Sequence, residues 1–181
     1  MQLRNPLRFI HANVMCNFKK INMGNLKAKS LIEKHGFKDS DLTTPEHDKI
    51  MFWLVENIEQ VINEVIIKDY TKFKIDFLKA ECPIVKFSGY ANDKSIVGFF
   101  DLFVRIVTEA VEDFPAQKRS IGIEIKSIIP SVGETIRQLN FYKSFTNYDY
   151  YLIVSPDDRQ MDFFIKQGFK FYKYKEDSEL F

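Results

Sequence analysis

The 181-residue chain has room for one compact domain, or for one with a small appendage. Its 45% hydrophobic content supports a buried core, and no apolar run reaches the roughly eighteen residues of a transmembrane helix, so no membrane span is expected. The formal net charge of +1 is unevenly spread: residues 1–38 carry eight Lys or Arg against the single acid Glu33, and residues 39–69 carry eight acids against Lys49 and Lys68. The basic block could face phosphates or could be a solvated surface paired with the acidic block.

Arg4, Arg8 and His11 interrupt the first residues, so no secretory signal is expected there. Cys16 and Cys82 form no CxxC pair. That spacing speaks for reduced thiols in a cytoplasmic protein and against zinc or an iron–sulfur cluster. Leu26–His35 reads as a short helix stopped by Gly36. Residues 1–43 are expected to be a basic, helical N-terminal appendage, and 44–181 the main domain.

Thr44-Pro45 supplies a helix cap and a first helical residue. The helix is expected to reach about Ile67, burying Ile50, Leu54, Ile58, Val61, Ile62 and Val65 at helical spacing. Lys72–Leu78 and Ile84–Tyr90 read as strands, Tyr90–Lys94 as a turn, and Ile96–Val107 as a long strand. Pro115 marks a loop before a strand carrying Ile121-Gly122-Ile123-Glu124-Ile125-Lys126. Ser131 and Glu134 form a capping box opening a helix to about Phe145, which accounts for Glu134 without chemistry. Tyr150–Val154 is a further strand. Ser155-Pro156-Asp157-Asp158 is expected to start a helix ended by Gly168, before a last strand, Phe169–Tyr174. The order, roughly α-β-β-β-α-β, predicts an α/β (α+β) domain with a central mixed sheet flanked by helices. The strand after the crossover helix should run parallel to the Glu124 strand.

Three charged residues interrupt apolar strands. Glu124 and Lys126 are two apart, so they share a strand face, while Ile123 and Ile125 point the other way. Such a pair can be a solvated edge or part of a cleft. Asp101 lies within Phe99-Phe100-Asp101-Leu102-Phe103, where an unpaired carboxylate is costly. Arg105 is about 13 Å along the strand, too far to pair with it directly. Glu124 and Lys126 on the next strand are the natural neighbours. Two carboxylates and an ammonium suit Mg²⁺ or Mn²⁺ better than zinc. Gln138 and Tyr142, four apart on the following helix, could reach over the same place.

Gly98-x-x-Asp101, Glu124-x-Lys126 and Gln138-x-x-x-Tyr142, in this order, resemble the three motifs of the RecB-like branch of the PD-(D/E)xK nuclease superfamily. They are also similar to those of phage exonucleases of the lambda-exonuclease type. The resemblance implies a restriction-endonuclease-like core and metal-dependent hydrolysis of DNA with low sequence specificity, by an exonuclease or else a structure-directed or restriction-like endonuclease. A non-catalytic nucleic-acid-binding domain on the same fold is the reading from another class. Implied metal ligands are Asp101, Glu124, the backbone carbonyl of Ile125 and an acid or His on the first core helix. For that last position Glu64 is chosen, with Glu56 and Glu59 as rivals. Lys126 and Gln138 would serve catalysis, and Gln138 and Tyr142 would hold the substrate phosphate. Implied partners are DNA, further copies of the chain, and a phage single-strand annealing or recombination protein, in a bacterial or phage-infected cytoplasm. Phe100 stands where the superfamily's eponymous proline would be.

Overall fold

The computed structural model describes residues 44–67, 72–87, 94–110 and 115–175. The basic block, the expected helix Leu26–His35 and the turn residues 90–93 lie outside them. The domain described below belongs to the unit Pro45–Phe181.

Helix α1, Pro45–Ile62, begins at the proline as its capping sequence suggests, and passes into a π-helical turn, Asn63–Ile67. Ile50, Met51, Leu54, Ile58, Val61 and Ile62 are buried. The wider π turn moves the next buried position from the expected Val65 to Ile66, four residues beyond Ile62.

Five strands form one sheet in the order β1-β2-β3-β4-β5. Their ranges are β1 Phe73–Phe87, β2 Lys94–Thr108, β3 Lys118–Ile125, β4 Tyr150–Ser155 and β5 Lys170–Lys173. β1, β2 and β3 pair antiparallel, whereas β4 runs parallel to β3 and β5 parallel to β4. The expected mixed sheet and the parallel crossover strand are therefore present. The two short strands expected at Lys72–Leu78 and Ile84–Tyr90 are one strand, β1. Pro83 does not break it, because β1 is an edge strand, where a missing N–H can face away from the ladder.

Helix α2, Val132–Lys143, links β3 to β4, and Ser131 caps it by accepting the Glu134 N–H at 3.3 Å. Helix α3, Met161–Lys166, starts later than Ser155-Pro156 suggested. Ser155 ends β4, and its Oγ accepts from Asp157 N–H, while the Asp157 carboxylate is taken by the Arg159 guanidinium at 2.7 Å. These local bonds hold 155–159 in a turn and not a helix. Gly168, at φ 84, closes α3 with Gly168 N–H to Ile165 O and Phe169 N–H to Phe164 O, the paired bonds of a Schellman motif.

Helices cover both faces of the sheet. Leu139 and Tyr142 of α2 and Phe164 of α3 pack with Phe100, Tyr151, Ile153 and Phe171. Tyr172 lies next to Phe171 on β5, so it faces the other way, and it stacks on Trp53 of α1 at 5.8 Å. Among the described residues no helix is long and apolar enough to cross a membrane.

Candidate active site at the end of strand β3

The site forms where β3 leaves one neighbour and keeps the other. Pairing of β2 with β3 ends at Leu102 and Ile123. Pairing with β4 continues through Glu124 and Ile125, and the Lys126 N–H donates to Val154 O at 3.0 Å just beyond the strand. On the β2 side a side chain replaces the ladder: Asp101 Oδ2 accepts the Ile125 N–H at 2.6 Å. A backbone donor released by the splayed strands is thereby satisfied, and the Asp101 carboxylate is fixed beside Glu124.

Glu124 is 4% exposed. Its Oε1 accepts from Lys126 Nζ at 2.9 Å and from Gln138 Nε2 at 3.0 Å. Its Oε2 is buried and has no partner among the described residues. Burial first, and the charge of Asp101 second, push the Glu124 carboxyl up to about 7, against the opposing pull of Lys126. Oε1 is occupied by two donors, so a proton would sit on Oε2. Burial alone would lower Lys126, but Glu124 outweighs it and leaves the ammonium above the ordinary lysine range. Lys126 is thus a cation here, and Glu124 is the group whose charge is in the balance.

Asp101 Oδ1 lies 3.2 Å from His47 Nε2, in the first turn of α1. Burial pulls the imidazole down, yet the hydrogen bond and charge of Asp101, then those of Asp48, raise it above the usual histidine value. Arg105, the alternative partner for Asp101, pairs instead with Asp76 on β1 at 2.6 Å.

Gln138 Nε2 also donates to Tyr142 Oη at 3.0 Å, so α2 contributes a short chain, Tyr142–Gln138–Glu124. Gly98 is what lets Tyr142 sit there. A Cβ on Gly98 would run into Tyr142 Cε1, closer than any permissible contact. The glycine of the first motif is therefore a close-packing residue for the tyrosine of the third.

Asp101, Glu124, Ile125, Lys126, Gln138 and Tyr142 are thus brought together. Glu64 is not. It is exposed on the π turn, and its charge is felt by Tyr172 of β5. Seventeen residues separate it from His47, about 25 Å along a helix. Glu56 and Glu59 are exposed on intervening turns. The helix contributes His47 by its first turn. The helical wheel missed it because the wheel ranks residues by angle and not by position along the axis. Glu81 was also missed, having been read as part of a connection between two short strands. In the continuous β1 it stands between Ala80, paired with Leu102, and Cys82, paired with Phe100, and so opposite Asp101.

No family model, curated protein or solved structure matches the chain.

The donor set itself decides what the cluster can hold. Among the described residues no three His, Cys, Asp or Glu are already gathered as a ligand cage, and Asp101 and Oε1 of Glu124 are tied to protein donors. The orphaned Oε2 is a different matter. A buried acceptor without a partner costs about 1–3 kcal/mol, and a divalent cation beside it would remove that cost. Carboxylate and carbonyl oxygens at Asp101, Glu124 and Ile125 fit Mg²⁺ or Mn²⁺, hard ions that take oxygen ligands.

Proposed function

We propose that this chain is a Mg²⁺- or Mn²⁺-dependent deoxyribonuclease, an exonuclease of low sequence specificity, on a restriction-endonuclease-like core. The observation that carries this reading is the buried, half-partnered Glu124 held between Asp101 and Lys126 at the open end of β3. The motif resemblance of Gly98–Tyr142 supports it independently of the geometry.

Asp101, Glu124 and the Ile125 carbonyl would hold the cation, with His47 adjoining Asp101. Such an ion, when bound, supplies a Lewis acid for the phosphate and lowers the pKa of a water molecule. The protein's own groups do the rest. Lys126 places a fixed positive charge beside Glu124, where it can orient the attacking water or stabilise charge developing on the phosphate. Gln138 donates to Oε1 of Glu124, and Oε2, which has no partner among the described residues, would be the oxygen left to hold a cation. Tyr142 holds Gln138 in place, and a substrate phosphate at the mouth of the cleft would meet this same pair. A site that grips a phosphate contacts the backbone and not the base edges, so cleavage should be indifferent to sequence.

End-labelled linear DNA and covalently closed circles, incubated with Mg²⁺, test this reading. Linear DNA should be degraded from its ends and closed circles should survive. Equal cutting of circles would assign an endonuclease, and no cleavage of either, with DNA still bound, would leave a binding domain.

A further inference from the structure

We infer that Glu81 is an additional cation-holding carboxylate of this site, reaching Asp101 from the β1 side as Glu124 reaches it from the β3 side. The inference rests on the reading of Asp101 and Glu124 as a divalent-cation site. Glu81, Asp101 and Glu124 occupy neighbouring positions on three adjacent strands: Glu81 lies across from Asp101 in the β1–β2 ladder, and Asp101 bonds the residue next to Glu124. Negative charge accumulates along this row. Partial desolvation raises the Glu81 carboxyl, and the charges of Asp101 and Asp48 raise it further, with His47 in partial opposition.

The residue's backbone makes the choice of glutamate stand out. Glu81 has φ 48, the one left-handed non-glycine residue among those described. Glycine would take that conformation without strain. A glutamate there bears both the strain and the repulsion of Asp101, and the partial opposition of His47 does not fully offset them. A divalent cation between the carboxylates would, and the buried Oε2 of Glu124, lacking any partner, is the second sign of a missing ligand in the same cluster. Glu81 is exposed, whereas Glu124 is buried, so Glu81 is a carboxylate of the row that solvent cations can reach.

Calorimetric titration of the full chain with Mn²⁺, without DNA, tests the inference. Glu81→Gly and Glu81→Gln should each weaken Mn²⁺ binding by about tenfold or more, the scale on which a supporting ligand matters. In EDTA, Glu81→Gly should melt at a higher temperature than the wild type, because strain and repulsion are both relieved. Wild-type affinity in both variants, while Asp101→Asn loses binding, would overturn the role of Glu81 and leave the main site intact. Wild-type affinity in all three would overturn the cation site itself. A Glu81→Gly variant that melts lower in EDTA would make Glu81 a structural residue and also overturn the inference.

Discussion

Glu124 is where burial, charge and hydrogen bonding conflict most. Its carboxyl is raised from 4.5 to about 7 by burial and by Asp101. Between those values the folded protein retains a proton that the unfolded chain has released. Stability without a cation therefore falls as pH rises through this window and stays low above it. His47 and Glu81, both raised, act in the same direction. Glu124→Gln removes the share of Glu124. In EDTA its stability advantage over the wild type should grow, on the order of 1–3 kcal/mol, from about pH 5 to about pH 8. Melting curves across pH check this, and an advantage that does not change with pH would contradict the raised carboxyl. Lys126→Ala should keep Mn²⁺ binding, because an ammonium is no ligand, and should lose most turnover. Gly98→Ala forces Tyr142 aside and should cost about 1–3 kcal/mol. Combining it with Tyr142→Leu, which clears space, should recover part of that loss in a denaturation experiment.

At the scale of elements, the caps are expected to matter for stability and not for chemistry. Ser131→Ala should cost about 0.5–2 kcal/mol by freeing the Glu134 N–H. Gly168→Ala should cost about 1 kcal/mol, since its φ of 84 is strained for alanine although nothing crowds the new methyl. Both variants should turn over normally per folded molecule, and a specific loss of turnover would tie the caps to the site. The elements most legible in the sequence were those with strong local signals. The Thr44-Pro45 start, the Ser131 cap, the Gly168 stop and the apolar stripe through Ile62 all state their own structure. Errors arose where a distant contact decides. Two short strands were expected in place of β1 because the pairing of residues 79–83 with β2 is a tertiary fact. Ser155-Pro156 suggested a helix because the Ile129 N–H that donates to the Asp157 carboxylate at 3.4 Å comes from a distant segment. His47 was passed over for Glu64 because only the packed structure shows which end of α1 meets Asp101. Asp101, Glu124 and Lys126 were legible for the opposite reason: charges inside apolar strands stand out without any tertiary knowledge.

Across the whole molecule, the sheet changes from antiparallel to parallel at β3, and the charged cluster sits at the carboxyl end of that strand. Ligands of open α/β sheets favour the carboxyl ends of strands. The helices on both faces leave this end accessible: Lys126 is 26% and Asp101 23% exposed at the side chain. The basic block at residues 1–38 adds an expectation that rests on sequence alone. Reversing the charges of Lys19, Lys20, Lys27 and Lys29 should weaken DNA binding and flatten its salt dependence, by roughly one unit of slope for each lost phosphate contact. Divalent-cation binding should not change. The most direct measurement of the central claim is a Mg²⁺ titration of DNA hydrolysis by the wild type beside Asp101→Ala and Glu124→Ala, each verified as folded. Cleavage that rises with Mg²⁺ in the wild type and is absent from both variants is the expected result. Near wild-type cleavage by either variant would show that these carboxylates are not the catalytic site.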